Sequence, residues 1–409
     1  MSSADDSAFG PGTRVTIAGR RAEWTGTPAH PGAVVSPPVW RASTHLYPDI
    51  AALRAHHANA DGEFYYGRRG SPTQWALAEA LTGLEPGAAG TVLYPSGVAA
   101  IAGALLTVLR PGDVLLMTDN AYEPSRAMAR GLLRDFGVEP RWFDPLDPAS
   151  LTAAICPRAR AVLIECPGSL TLEVCDVPQL AQIARAHGLI SVLDNTWATP
   201  LGFAALRHGV DIAVMSLTKH VGGHSDVMMG SASAGADWYR RLRLRAQAMG
   251  TVVSPDDAAL VLRGLRTMDV RLQRTTATAL DLARFLAARP EVAHVACPML
   301  PGAPGHDLWR RDFTGGCGLF SFVLTGGTGA QRDALIDALA LFGIGYSWGG
   351  FESLATPVDP AAMRSATPWP PATWDPADRF GVRLAVGLED PADLIADLAQ
   401  ALAVWSVAS

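Results

Sequence analysis

The chain of 409 residues contains no apolar run approaching the roughly 18–20 residues that a membrane-spanning helix requires. A helical membrane anchor is therefore not expected. It also lacks a basic cluster: the formal net charge is -6, and the arginines are scattered. That argues against a nucleic-acid or anionic-membrane partner. Cysteine is sparse and odd in number, with Cys156, Cys166, Cys175, Cys297 and Cys317 forming no C-x-x-C pair. Free thiols in a reducing compartment follow. The first ten residues, Met1 to Gly10, lack the basic-then-apolar layout of a secretory signal, so a cytoplasmic protein is expected. There is no internal repeat and no low-complexity segment. Most telling is lysine: only Lys219 is present, and arginine fills every other basic position.

Lys219 closes the stretch Asp211-Ile-Ala-Val-Met-Ser-Leu-Thr-Lys219. A short apolar run of this kind reads as a buried strand, and it ends in two hydroxyls, Ser216 and Thr218, beside the amine. Desolvation at a strand end favours the free amine over the ammonium, which makes it a nucleophile. Such an amine forms a Schiff base with a carbonyl or with an aldehyde cofactor. The following residues, His220, His224 and Asp226, raise the possibility of a metal. Gly222-Gly223 between the two imidazoles breaks any shared helix face, and no H-E-x-x-H or cysteine ligand accompanies them, so no metal is expected.

With hydrophobic residues at 49 % and charged residues at 18 %, the composition is that of an ordinary globular protein. Residues 1 to about 20 are polar and expected to be loosely ordered, and Pro31 to Pro48 reads as an extended arm. Tyr65-Tyr66-Gly67-Arg68-Arg69-Gly70 belongs on a loop. A helix is expected from Thr73 to Leu84. Strand and helix then alternate. Strand 91–94 leads through Pro95-Ser96-Gly97-Val98 into helix 99–109. Strands at 114–117, 161–164, 189–193 and 211–217 follow, with a helix at 178–186. This alternation predicts an α/β fold whose main sheet is largely parallel, with ligands bound beyond the carboxyl ends of the strands. Ser96, Tyr122, Asp194 and Lys219 all fall just past such ends, where they can converge on one crevice. Gly97 and Val98 open a helix whose N-terminal N–H groups can hold a phosphate. Later, 260–288 reads as one long helix. Strands are expected at 318–323 and 381–386, a helix at 330–341, and a last helix with Asp390 as N-cap and Pro391 in its first turn.

A strand-end lysine, a strand-end aspartate, a phosphate turn and an aromatic are the parts of a pyridoxal phosphate site. The ordered series Tyr66-Gly-Arg68, Ser96-Gly97, Ala121-Tyr122-Glu-Pro, Asp194-Asn-Thr, Ser216-x-Thr218-Lys219 and Gly223-His-Ser-Asp226 resembles the Cys/Met-metabolism family of pyridoxal phosphate enzymes. The resemblance runs from about residue 30 to the C-terminus. It implies the aspartate-aminotransferase-like fold (fold type I): a mainly parallel seven-stranded sheet with helices on both faces, plus a smaller α+β C-terminal domain. The matching domain division is an arm at 1–65, a cofactor-binding domain at 66–260 and a small domain at 261–409.

By the same resemblance, Lys219 would hold pyridoxal 5'-phosphate as an imine and also move the substrate Cα proton. Asp194 would pair with the pyridine nitrogen and Tyr122 would stack on the ring and serve catalysis. Gly97, Val98, Ser216 and Thr218 would hold the phosphate. Tyr66 and Arg68 would reach the phosphate of a neighbouring subunit, in a homo-oligomer built as a dimer of dimers. Arg383 would grip the substrate carboxylate. Gly168-Ser169, Asp194-Asn-Thr-Trp197 and Ser347-Trp348-Gly-Gly look like the bacterial cystathionine β-lyase branch, with Ser347 and Trp348 at the substrate. His220, where tyrosine is common, and the proline-rich 357–377 stretch are departures. The implied reaction is β-elimination from a small amino-acid thioether to a thiol, pyruvate and ammonia. A γ-lyase, a γ-synthase, or a C–S lyase acting on other cysteine conjugates is the alternative.

Overall fold

The apolar runs become strands, and the helix-period stretches between them become helices. The computed structural model describes residues 9–27, 30–56 and 62–405. A short ribbon pairs β1 (Gly26–Thr27) with β2 (His30–Ala33). Seven strands make up the larger sheet: β3 (Gly90–Tyr94), β4 (Val114–Thr118), β5 (Glu139–Phe143), β6 (Ala159–Glu165), β7 (Ile190–Asp194), β8 (Ile212–Ser216) and β9 (Gly230–Ala234). Five more, β10 (Val292–Ala296), β11 (Leu319–Leu324), β12 (Gly343–Ile344), β13 (Leu354–Val358) and β14 (Gly381–Ala385), form a second sheet in the order β10-β11-β14-β13-β12.

The chain divides into two compact units. The first comprises residues 1–107 and 211–269 and contributes β3-β9-β8 to the larger sheet. Here β9 runs antiparallel to both β3 and β8. The second comprises residues 108–210 and 270–409 and contributes β7-β6-β4-β5, all parallel, together with the whole smaller sheet. Its central strands are apolar without a break. Val114 to Met117 and Ala161 to Ile164 are essentially unexposed, as expected of parallel strands covered on both faces.

The structure departs from the sequence reading in several places, strands β5, β10, β12 and β13 being unexpected, and four further departures have a physical reason. First, residues 11–17 form a helix, Pro11–Ile17, where loose order was expected. Arginine ties it down. Arg14 donates to the carbonyls of Gly83 and Leu84 at 2.8 and 2.9 Å, capping the helix Pro72–Leu84. Arg266 donates to Val15 O and Ala18 O at 2.9 and 2.6 Å. Residues 1–8 lie outside the described residues. Second, the long helix expected over 260–288 is two, Pro255–Leu265 and Met268–Ala287, the first opened by the Ser254 hydroxyl and Pro255. Third, the last-but-one helix is shorter than expected, Gly329–Asp337. Fourth, β9 was not anticipated. Gly-Ser-Ala-Ser-Ala carries no β-branched signal, yet all five residues are buried.

Candidate active site

In the first unit, β8 delivers Ser216 to a tight turn. The N–H of Lys219 donates to Ser216 O at 3.2 Å, that of Gly222 to Leu217 O at 2.8 Å, and that of Gly223 to Lys219 O at 2.8 Å. Gly223 closes the turn at φ +69°, a conformation side chains resist. Thr218 locks it from the other side. Its Oγ1 accepts the Met229 N–H at 3.0 Å and donates to Met229 O at 3.2 Å. Lys219 itself is half-buried and His220 is buried. Helix Pro255–Leu265 backs the turn so closely that a Cβ on Gly264 would stand 2.1 Å from Gly222 O.

The start of the helix Gly97–Val108 faces Ser216. The Ser96 Oγ accepts the Ala99 N–H at 3.1 Å. Gly97 and Val98 are the first two residues of that helix, whose N–H groups have no partner within it. A Cβ on Gly97 would meet the Ser216 Cβ at 2.7 Å, and one on Gly230 would meet Ser96 O at 2.2 Å. Only glycine permits this approach, and the result is a cradle of N–H donors and a hydroxyl. The donor set fits a phosphate. In the same unit Tyr66 is exposed, and Arg68 Nη1 donates to Gln247 O at 3.0 Å. Their loop is pinned to the arm: the Gly67 N–H donates to Ser43 O at 2.7 Å.

In the second unit, the loop after β4 presents Tyr122, 40 % exposed, just before the helix Glu123–Met128. Its N–H donates to Glu165 Oε2 at 2.6 Å. Glu165 ends β6, and its register partner is Asp194, the last residue of β7. Asp194 Oδ1 accepts both the Thr196 N–H, at 3.0 Å, and the Thr196 hydroxyl. Burial pushes the Tyr122 hydroxyl up from its ordinary value; Glu165 and Asp194 add to this, and Arg383 opposes it. Burial pushes Glu165 well above the usual carboxylate range, with Asp194 adding to the effect.

Arg383 lies on β14 opposite Ser321 and Thr356. Its Nη2 reaches the Ser347 carbonyl at 3.4 Å. Burial lowers its proton affinity, which Tyr122 and Tyr346 partly restore. Ser347 holds φ +100°, a strained conformation for a residue with a side chain. Trp348 follows it, half-buried.

Behind Tyr122 lies a clamp that sequence reasoning missed. The Asp119 carboxylate accepts the backbone N–H groups of Ser365, Ala366 and Thr367 at 2.7–2.9 Å, and Arg126 donates to it at 3.1 Å. Arg126 is fully buried, donates onward to Ser365 Oγ at 2.7 Å, and lies 5.0 Å from the centre of the Trp142 ring. Arg364 adds a second tie, donating to Glu173 and Thr171 at 2.6 and 2.9 Å. The proline-rich stretch is thus anchored against the Tyr122 loop. Its tryptophans pack too, Trp374 stacking on His294 at 3.6 Å.

The expected residues therefore fall into two sets. Gly97, Val98, Ser216, Thr218 and Lys219 gather in the first unit, and Tyr122, Asp194, Arg383 and Ser347 in the second. Asp119, Arg126, Glu165 and Arg364 were not foreseen. Glu165 ends an apolar strand as Asp194 does, but only the register between their strands sets it apart from a solvated strand tip. Among the described residues no group of three His, Cys, Asp or Glu side chains is placed to hold a metal. No described helix is long and apolar enough to cross a membrane.

Comparison with known proteins adds three findings. The profile of a family described as Cys/Met metabolism PLP-dependent enzyme matches residues 25–403. A cystathionine beta-lyase of Salmonella typhimurium is 42 % identical over 96 % of this chain and 98 % of its own, and an L-methionine gamma-lyase of Pseudomonas putida is 38 % identical over 91 % and 93 %. Among solved structures, metB from Corynebacterium glutamicum superposes with a TM-score of 0.86 at 29 % identity, covering 98 % of this chain and 99 % of that one.

Proposed function

The chain belongs to the Cys/Met-metabolism family of pyridoxal-phosphate-dependent enzymes, and from that premise we propose that it catalyses β-elimination from L-cystathionine or a related cysteine thioether. It is a carbon–sulfur lyase with the type I fold; the β-elimination, the thioether and the residue roles are our reading. The observation that carries it is the setting of Lys219. The one side-chain amine of the chain sits in the turn after β8, next to a glycine cradle shaped for a phosphate.

Gly97 and Val98 N–H groups, with Ser216, would hold the cofactor phosphate, and Thr218 would join them by turning its hydroxyl from Met229 O. Lys219 would hold the aldehyde carbon of the cofactor, and its amine is the base we assign to the substrate Cα proton. Bound pyridoxal phosphate supplies an electron sink for the charge left at Cα. Asp194 would pair with the pyridine nitrogen and hold a proton there, and Tyr122 would stack on the ring. Arg383 takes the substrate carboxylate, with Ser347 and Trp348 beside it. Loss of the Cβ thiolate and addition of water give the thiol, pyruvate and ammonia. Residues 66–260 are assigned to the cofactor and 261–409 to the second domain.

The arm, residues 1–65, leaves large apolar side chains uncovered, Val35 at 69 % and Leu46 at 92 % exposed, with Ile50 and Leu53 beside them. We assign this surface to another copy of the chain, with Tyr66 and Arg68 serving the partner's phosphate in a dimer of dimers. The first test is an absorption spectrum of the protein supplied with pyridoxal phosphate, before and after L-cystathionine, with the keto acid identified. A visible band that changes with substrate, together with pyruvate, is expected. 2-Oxobutyrate instead would move the reaction to γ-elimination. No band would overturn the role of Lys219. Lys219→Ala is expected to lower turnover by about 10³-fold or more, and normal rates in that variant would refute its role.

A further inference from the structure

Two carboxyl groups stand side by side on the carboxyl ends of adjacent parallel strands, and the reaction described above uses only one. Glu165 and Asp194 are register partners in the β6–β7 ladder, so their side chains leave the same face of the sheet. Asp194 Oδ1 is taken by the Thr196 N–H and hydroxyl. Glu165 Oε2 is taken by the Tyr122 N–H at 2.6 Å, while its own N–H donates to Thr118 Oγ1 at 3.2 Å, tying it also to the end of β4. Glu165 thus bonds directly to the residue assigned to the ring face and lies beside the residue assigned to the pyridine nitrogen.

We propose that Glu165 is a positioning residue, a neutral carboxylic acid that anchors the Tyr122 backbone and leaves Asp194 the single charge of the pair. This rests on the roles given above to Tyr122 and Asp194. Carboxyl groups that leave the same face from register-paired strands disfavour each other's charge, so one keeps a proton. The groups facing Glu165 decide which. Burial and Asp194 disfavour its charge, as does Cys166 more weakly; the Tyr122 N–H favours it and is outweighed. Arg383, the cation that acts on Tyr122, does not figure among the groups that act on Glu165 and is assigned above to a substrate carboxylate. With Oε2 committed as acceptor, Oε1 is the oxygen we assign to the proton. Glutamine reproduces both features, an acceptor oxygen and a neutral donor. Leucine reproduces neither.

Infrared difference spectra of the cofactor-free protein at pH 7 read the protonation state directly. A protonated-carboxyl C=O band is expected in the native protein and absent from Glu165→Gln. In Asp194→Asn its titration midpoint should move to lower pH, because the neighbouring charge is gone. A native protein without the band, or a band that survives in Glu165→Gln, would overturn the proposal. The anchor is read by titrating cofactor into each variant and following the visible band. Glu165→Leu should weaken cofactor affinity at least tenfold, and Glu165→Gln should restore most of it. Equal weakening in both variants would show that the native group acts as an anion, and no weakening in Glu165→Leu would show that the anchor is idle. Should Glu165→Leu fail to fold, the infrared bands and Glu165→Gln still decide. A native protein that gives no visible band would count against the preceding reading instead, since the infrared measurement needs no cofactor.

Discussion

A carboxyl group held neutral by its surroundings makes stability depend on pH. Glu165 is raised well above its ordinary value of 4.5 by burial and by Asp194. Between the unfolded and folded values the native state binds the proton and the unfolded state does not, so stability is full below about pH 4.5 and falls as pH rises through the folded value. The slope is at most about 1.4 kcal/mol per pH unit. Glu165→Gln removes this dependence. The thermal midpoint of the cofactor-free variant should therefore gain on the native protein as pH rises from 5 to 7, and parallel curves would contradict the assignment. Ser347 offers a second residue-scale test. Its φ of +100° suits glycine, so Ser347→Gly should stabilise the fold by about 1 kcal/mol in denaturant unfolding. Substrate KM should rise in the same variant, because the strained backbone aims the Ser347 carbonyl at Arg383. The two residues also show what sequence reveals. Lys219 was legible because no other lysine competes with it. Glu165 was not, because a glutamate ending an apolar run reads equally well as the solvated tip of a strand, and only the register against Asp194 distinguishes the two.

At the level of elements, legibility followed the hydrophobic pattern. β4, β6, β7 and β8 are apolar runs bounded by turn residues, and they appear where expected. β9 did not announce itself, since its work is done by small size. Gly230 lets the Ser96 carbonyl approach, and Thr218 closes on Met229 just ahead of it. The break between Leu265 and Met268 was hidden for a related reason, Gly264 being chosen by contact with the turn after Lys219 rather than by helix propensity. The same logic makes Gly97 testable. Gly97→Ala would push a methyl against Ser216 and should weaken cofactor binding tenfold or more in an absorbance titration, while the far-ultraviolet circular dichroism stays native. The clamp is testable as well. Asp119→Ala leaves the buried Arg126 with only the more distant Glu123, at 3.8 Å, and strips three backbone N–H groups of their acceptor, and should cost about 3–5 kcal/mol in denaturant unfolding. A loss below 1 kcal/mol would mean that the 364–367 segment is not held by Asp119.

For the whole molecule, the exposed apolar arm and the placement of Tyr66 and Arg68 make assembly part of the proposed chemistry. Co-expression of Lys219→Ala with Arg68→Ala should restore activity that neither variant has alone, up to about a quarter of the native level if subunits mix freely in dimers. No recovery in verified mixed dimers would place Arg68 in its own subunit's site. The sequence could suggest this arrangement only through family resemblance, because sharing between copies leaves no periodicity in one chain. The Asp119 clamp carries a further consequence, one of timing. Its partners, Ser365 to Thr367, lie 246 to 248 residues downstream. At 5–20 residues per second, a ribosome reaches them roughly 12–50 seconds after Asp119. Throughout that interval the nascent chain holds Asp119 and the Tyr122 loop without their tie to the 365–367 segment. The turn that carries Tyr122 is thus among the last parts of the molecule to be completed, although its residues are among the first third to be translated.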